Sequence, residues 1–238
     1  MKNISLIILT VFILSSCGPT NDMWEVENHG VLREIMQEQK IGANADLKDF
    51  ENMPNLYALG ALEGLSGEIL IVDGKPFNGI ANQGNLVFDK SFDKKATLLV
   101  SSQVDEWEII TLKETFKNLK ELQAMILAQG KATGIDVLKP FPFMIKGDFQ
   151  RIDWHVINAK EAKSQNHEAY KTAGLNGSEA YTDARILGFY SSQHEGIFTH
   201  HGSYVHLHFL SADESTMGHV DELVQLGVVE LFLPKKKK

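Results

Sequence analysis

The chain has 238 residues, 43% of them hydrophobic and 9% aromatic, enough to bury the core of one large domain or two small ones. Its formal net charge of −8 speaks against nucleic acid as a partner. With a single cysteine, an internal disulfide and a cysteine-rich zinc site are both excluded.

Met1-Lys2-Asn3 and the apolar run from Ile4 to Leu14 predict a secretory signal over residues 1–16, too short to span a bilayer as a helix. It closes on Leu14-Ser15-Ser16-Cys17, which resembles a bacterial lipobox. That resemblance implies a lipid on Cys17, a tether over residues 17–28 that opens Gly18-Pro19-Thr20-Asn21-Asp22, and anchoring to a membrane. Gly18, rather than an aspartate, in the second mature position points to the outer membrane or its periplasmic face.

Helical spacing covers residues 29–39, with Val31, Leu32, Ile35 and Met36 on one face and Gly42 closing it. After a polar loop over 44–55, residues 68–72 read as a strand, Asp73-Gly74 as a tight turn and 75–80 as the return strand. Further strands are predicted at 85–88, 96–101 and 106–111. The strongest helical pattern covers 112–129, where Leu112, Phe116, Leu119, Leu122, Met125 and Ile126 form an apolar stripe and Gly130 ends it. Then follow a strand over 143–156, a polar connection over 158–178, and strands at 185–190, 197–199, 204–210 and 228–232. The expected fold is α+β, two strand-rich halves with mixed β-sheets and a long helix between them. A boundary near Lys139 separates an N-terminal α/β domain (29–139) from a C-terminal β-rich metal-binding domain (140–234), leaving a solvated basic tail over 235–238.

Chemistry concentrates late in the chain. Five of the nine histidines fall within the segment from Thr199 to Phe209 and in Gly218-His219-Val220. His206 and His208 are two apart, so in a strand both imidazoles leave the same face. His219 comes eleven positions after His208, room for a turn and a return strand carrying a third imidazole. Alternating histidines also suit a half-polar surface strand, but Val205, Leu207, Phe209 and Leu210 argue for burial, where imidazoles need a common partner such as a metal. Three neutral imidazoles with room for water form a metal site that does chemistry. Counting back by twos from His206 reaches His200, the better supporting residue of the adjacent pair His200 and His201.

Three separated segments resemble one family, the acetolactate decarboxylases. The stretch from Tyr57 to Glu68, continuing through Ile71-Val72-Asp73-Gly74-Lys75, is similar to a hairpin of that family. Ile145-Lys146-Gly147-Asp148-Phe149 is similar to its I-x-G-x-F strand. Gly188-Phe189-Tyr190-Ser191, His206-Leu207-His208-Phe209, Asp213 and Gly218-His219-Val220 resemble its histidine segment, in matching order over roughly residues 30 to 234. The resemblance implies a two-domain fold with zinc on His206, His208 and His219, and a glutamate facing the metal, here Glu68. It also implies decarboxylation of a 2-hydroxy-2-methyl-3-oxo acid, or a closely related 2-hydroxy-3-oxo acid, to acetoin or its analogue. A homodimer is left open.

The chain also departs from the family pattern. Where the family has an arginine after the I-x-G-x-F strand, this chain has His155, which carries at most one charge and lacks the planar fork; Arg151 and Arg185 are the nearby substitutes. Ala61 stands at a family threonine, and the family's acidic C-terminal residue has no counterpart after Leu233-Pro234. Two alternatives follow: a non-catalytic envelope lipoprotein that binds metal or a small ligand, and a cupin-like metalloenzyme using Asp213 or Glu214 with the histidines.

Overall fold

A computed structural model of the protein describes residues 24–235. The expected signal, Cys17 and residues 18–23 of the tether lie outside the described residues, as do Lys236, Lys237 and Lys238. Within the stretch expected to be tether, Trp24 is already buried and Asn28 pairs with Val100.

The first half runs β1 (Glu27–His29), α1 (Leu32–Glu38), β2 (Ala45–Asp46), β3 (Leu56–Leu62), β4 (Glu68–Val72), β5 (Lys75–Asn82), β6 (Asn85–Asp89) and β7 (Lys95–Gln103). Its strands form one sheet in the order β1-β7-β3-β4-β5-β6, with β2 also on β7. Asp73 (φ 51°) and Gly74 (φ 70°) supply the two left-handed residues that the tight turn between β4 and β5 demands. β3 and β4 are buried along their whole length. Apart from Glu68, they read as apolar runs because both faces of the sheet are covered. Leu59, Leu70 and Val100 face the second sheet, while Ile69, Ile71 and Leu99 lie under Leu47 and Phe50.

The second half runs β8 (Trp107–Leu112), α2 (Leu119–Ala132), β9 (Phe141–Val156), α3 (His167–Ala173), β10 (Leu175–Tyr190), β11 (Val205–Leu210), β12 (Met217–Val224) and β13 (Val229–Pro234). β9 pairs with β10 along one edge and with β12 and β13 along the other. β10 also pairs with β11, and β11 with β12, so four strands close a circuit around a core of Phe143, Ile145, Leu207 and Phe209. Every ladder in both sheets is antiparallel rather than a mixture of directions, as hairpin connections require.

The helix expected over 112–129 starts later. Leu112 ends β8 opposite Val229, and Phe116 bridges to Gln225, so sheet pairing claims two residues of the apparent stripe. Asn118 then caps α2, its side chain accepting from the Glu121 N–H at 2.9 Å, while Glu222 accepts from the Leu119 N–H at 2.7 Å. Gly130 lies inside the helix against Phe141 and does not end it. α1 is likewise shorter than expected, because His29 pairs with Leu99 and Gln39 takes the left-handed capping conformation. The polar connection over 158–178 contains α3 and the start of β10. The strand expected at 197–199 reduces to a single bridge, Glu195 to Thr199.

Candidate metal centre

Strand pairing assembles the site. His208 stands directly opposite His219, and His219 directly opposite His155, so three imidazoles form a row across β11, β12 and β9. Gly218 permits that approach: a Cβ there would lie 2.6 Å from the His155 carbonyl oxygen. His206 and His208 leave the same face of β11. The His206 ring centroid is 5.2 Å from those of His208 and His219, and His208 is 5.5 Å from His219. Imidazoles sharing one tetrahedral ion have centroids about 5 Å apart, given metal–nitrogen bonds of about 2 Å.

These groups are buried without partners. Nδ1 of His206, both nitrogens of His208 and Nδ1 of His219 are shielded from solvent and lack a hydrogen bond. Burial holds all three histidines well below their usual pKa, and neighbouring imidazoles push the same way. They are therefore neutral, with lone pairs free to bind a cation.

The first sheet contributes the facing carboxyl. Glu68, at the start of β4, is 3% exposed, with Oε2 3.6 Å from His208 Nε2 and Oε1 3.9 Å from His155 Nε2. The Ile157 N–H donates to Oε1 at 3.3 Å. Burial raises the Glu68 pKa well above the usual carboxyl range, against the pull of that hydrogen bond, and the Asp221 charge adds to the rise. Burial thus favours the protonated form of the carboxyl that faces the imidazoles.

Asp221 backs the same histidines from the far side. It falls where the β12–β9 register shifts, between Val220 opposite Trp154 and Glu222 opposite Asp153, a bulge of the kind that re-aims side chains. Its Oδ2 accepts from His155 Nδ1 at 2.9 Å and pairs with Lys171 Nζ at 3.0 Å; its Oδ1 lies 3.6 Å from His219 Nδ1. Burial works against its charge, but the histidine contacts outweigh that and hold it far below the usual range. Ligand atoms of His155, His219 and Asp221 lie within 4.8 Å of one another, so these residues could also hold a metal ion. Among the described residues no other group of three brings its ligand atoms that close, and this one shares His219 with the imidazole triangle.

His167 and His200 complete the wall. The His167 ring lies 5.7 Å from His155 and 5.3 Å from His200, which in turn lies 5.3 Å from His219. Burial lowers His167 to about 4, and the His200 and His155 rings add to the drop; burial lowers His200 too. The loop carrying His200 is tied to α1, whose first amides, Leu32 N–H and Arg33 N–H, donate to Ile197 and Gly196 carbonyls at 2.8 Å. Leu32, Ile35 and Met36 close the cavity opposite the histidines, leaving about 30 Å³, room for a water or two.

His206, His208, His219, Glu68, His155 and His200 thus meet at one place, whereas His201 is 75% exposed and pairs with Glu195. Arg151 pairs with Asp153 and Arg185 with Glu214, and neither lines the cavity. Sequence reasoning missed Asp221, although it shares the parity of His219, and it missed His167 and Lys171 on α3.

The alpha-acetolactate decarboxylase family model matches residues 30–233. No curated protein matches the sequence. Among solved structures, the alpha-acetolactate decarboxylase of Bacillus subtilis strain 168 is similar at 16% identity and a TM-score of 0.69, over 89% of this chain and 86% of that one. The acetolactate decarboxylase of Bacillus subtilis subspecies spizizenii gives 16% identity, 90% and 86% coverage and a TM-score of 0.68. A Staphylococcus aureus protein of unknown function, described as similar to alpha-acetolactate decarboxylase, gives 18% identity, 87% and 84% coverage and 0.64. At such identities the likeness is one of fold.

Proposed function

Because this chain belongs to the alpha-acetolactate decarboxylase family, we propose that it is a zinc-dependent carboxy-lyase acting on 2-acetolactate or a closely related 2-hydroxy-3-oxo acid. The observation that carries the reading is the triangle of buried imidazoles with unpartnered nitrogens, facing a buried carboxyl. His206, His208 and His219 would hold the ion. The Asp221 group is the weaker cradle, because the Lys171 ammonium already pairs with that carboxylate at 3.0 Å and would repel a second cation.

A divalent metal on the imidazoles of His206, His208 and His219 would supply Lewis-acid polarisation of the substrate's oxygens. The remaining work belongs to the side chains. When the bond to the carboxylate breaks and carbon dioxide leaves, its electron pair stays on the substrate as an enediolate that needs one proton. Glu68, protonated and fixed by the Ile157 N–H, delivers that proton to one face. His155 Nε2, 3.9 Å from Oε1, is placed to take a proton from a water in the cavity and pass it to Glu68. Leu32, Ile35 and Met36 keep bulk water from the reacting carbon.

The test is acetoin formation by the zinc-loaded protein beside a His208→Ala variant. Acetoin from the first and none from the second supports the reading; zinc binding without turnover of acetolactate or related acids sinks it. One observation favours the second reading, a non-catalytic lipoprotein that binds metal or a small ligand. Among the described residues no lysine or arginine lines the cavity, so an incoming carboxylate meets imidazoles. The lipobox-like Leu14-Ser15-Ser16-Cys17 supports a membrane-anchored protein at the cell envelope in either case. Loss of fatty-acid labelling in Cys17→Ala, with labelling of the parent chain, is the expected result.

A further inference from the structure

Asp221 lies against two histidines that do different work, hydrogen-bonded to His155 and close to His219. A carboxylate can only accept, so the 2.9 Å contact assigns the proton of His155 to Nδ1 and leaves Nε2 facing Glu68. Oδ1 is on the Nδ1 side of His219, at 3.6 Å, which turns the Nε2 of that ring away from Asp221. The carboxylate is itself held from a different element, by Lys171 of α3. Its place at the register shift frees it from opposing any residue of β9.

We infer that Asp221, braced by Lys171, is a positioning residue: its hydrogen bond sets the Nδ1–H tautomer of His155, and its charge, 3.6 Å from Nδ1 of His219 and short of a hydrogen bond, orients that ring. A single carboxylate then orients one ligand of the metal cradle and the imidazole that serves Glu68. Outer carboxylates of this kind raise the basicity of a ligating imidazole and lock its ring, so their loss weakens metal binding. Lys171 keeps the carboxylate turned towards both rings and stops it from swinging towards solvent. The part concerning His155 rests on the proposed lyase reaction; the part concerning His219 needs only metal binding.

The experiment compares the full zinc-loaded chain with Asp221→Asn, Lys171→Met and Lys171→Arg. Two-bond nitrogen–proton spectra of the imidazoles read the tautomers, chelator competition reads zinc affinity, and initial rates on acetolactate separate kcat from KM. For Asp221→Asn, the Nδ1–H signature of His155 is lost, zinc affinity falls about 10- to 100-fold, and kcat falls with KM little changed. Lys171→Met shifts the same quantities less, and Lys171→Arg restores them. Wild-type tautomers and zinc affinity in Asp221→Asn overturn the inference. If the parent chain makes no acetoin while Asp221→Asn still loses zinc affinity and the tautomer, the lyase reading fails and the positioning role stands.

Discussion

Glu68 Oε2 lies 3.6 Å from His208 Nε2 although the two residues come from different sheets, and both side chains are almost fully buried. Packing of β4 against the histidine row is what makes the contact. In the proposed reaction the pair brings a proton donor to the metal cradle, and substitution separates the two roles. Glu68→Gln keeps shape and burial but removes the proton, so acetoin formation by the zinc-loaded protein should drop by about 10²- to 10⁴-fold. Zinc content should stay near that of the parent chain. A variant with parental turnover removes Glu68 from proton handling.

The histidines predict a pH dependence of stability in chelator-treated protein. His167 is lowered from 6.5 to about 4 in the folded chain, and His200, His206, His208 and His219 are lowered too, in each case chiefly by burial. A base whose folded pKa is depressed leaves the unfolded state binding more protons below 6.5. Its contribution is present above that pH and is lost as pH falls towards the folded value. The metal-free protein should therefore lose melting temperature progressively below about pH 6.5. His167→Gln should lessen the loss between 6.5 and about 4, and thermal scans across that range check it.

Saturating zinc should raise the melting temperature, since binding to the folded state alone stabilises it through mass action. The rise should shrink at acid pH as protons compete for the imidazoles. His208→Ala removes a buried imidazole with no hydrogen-bond partner, so the melting temperature of the metal-free variant should change little. Its zinc-induced rise should nearly vanish, with affinity down about 100-fold or more. Equal zinc-induced shifts in the variant and the parent chain would place the metal elsewhere.

Much of the site was legible because it follows strand parity and one tight turn. His206 and His208 share a face by alternation, and Asp73-Gly74 closes its hairpin with the left-handed residues that such turns select. What escaped depends on contacts between elements. Leu112 and Phe116 fit a helical period as well as they fit a strand end and a bridge, and only pairing with Val229 and Gln225 decides between them. α3 has seven residues with Tyr170 alone buried, so no apolar stripe announces it or places His167 and Lys171. Asp221 became visible only through the register shift that aims it.

Asn118 tests whether the start of α2 is set as the structure has it. The Asn118 side chain accepts from the Glu121 N–H at 2.9 Å, one of the otherwise unpaired donors of the first turn. Asn118→Ala should cost about 1 kcal/mol, a fall in melting temperature of about 2–4 °C for a domain of this size. A helix running from Leu112 would put position 118 in its interior, where alanine is the better residue and the change would stabilise. The sign of the shift therefore decides the boundary.

Gly218 couples backbone packing to the metal cradle. A Cβ at this position would lie 2.6 Å from the His155 carbonyl oxygen and 2.9 Å from Trp154 Cε3. A backbone oxygen cannot swing aside as a flexible side chain can, so Gly218→Ala must push β12 away from β9. The cost should be about 1–3 kcal/mol, as for other overpacked sites. His219 follows immediately and sits opposite His155, so the same displacement moves a ligand of the proposed site. Zinc affinity should fall together with melting temperature, whereas Asn118→Ala lowers melting temperature alone. Parental zinc affinity in a destabilised Gly218→Ala protein would show that His219 holds its place without the β12–β9 contact.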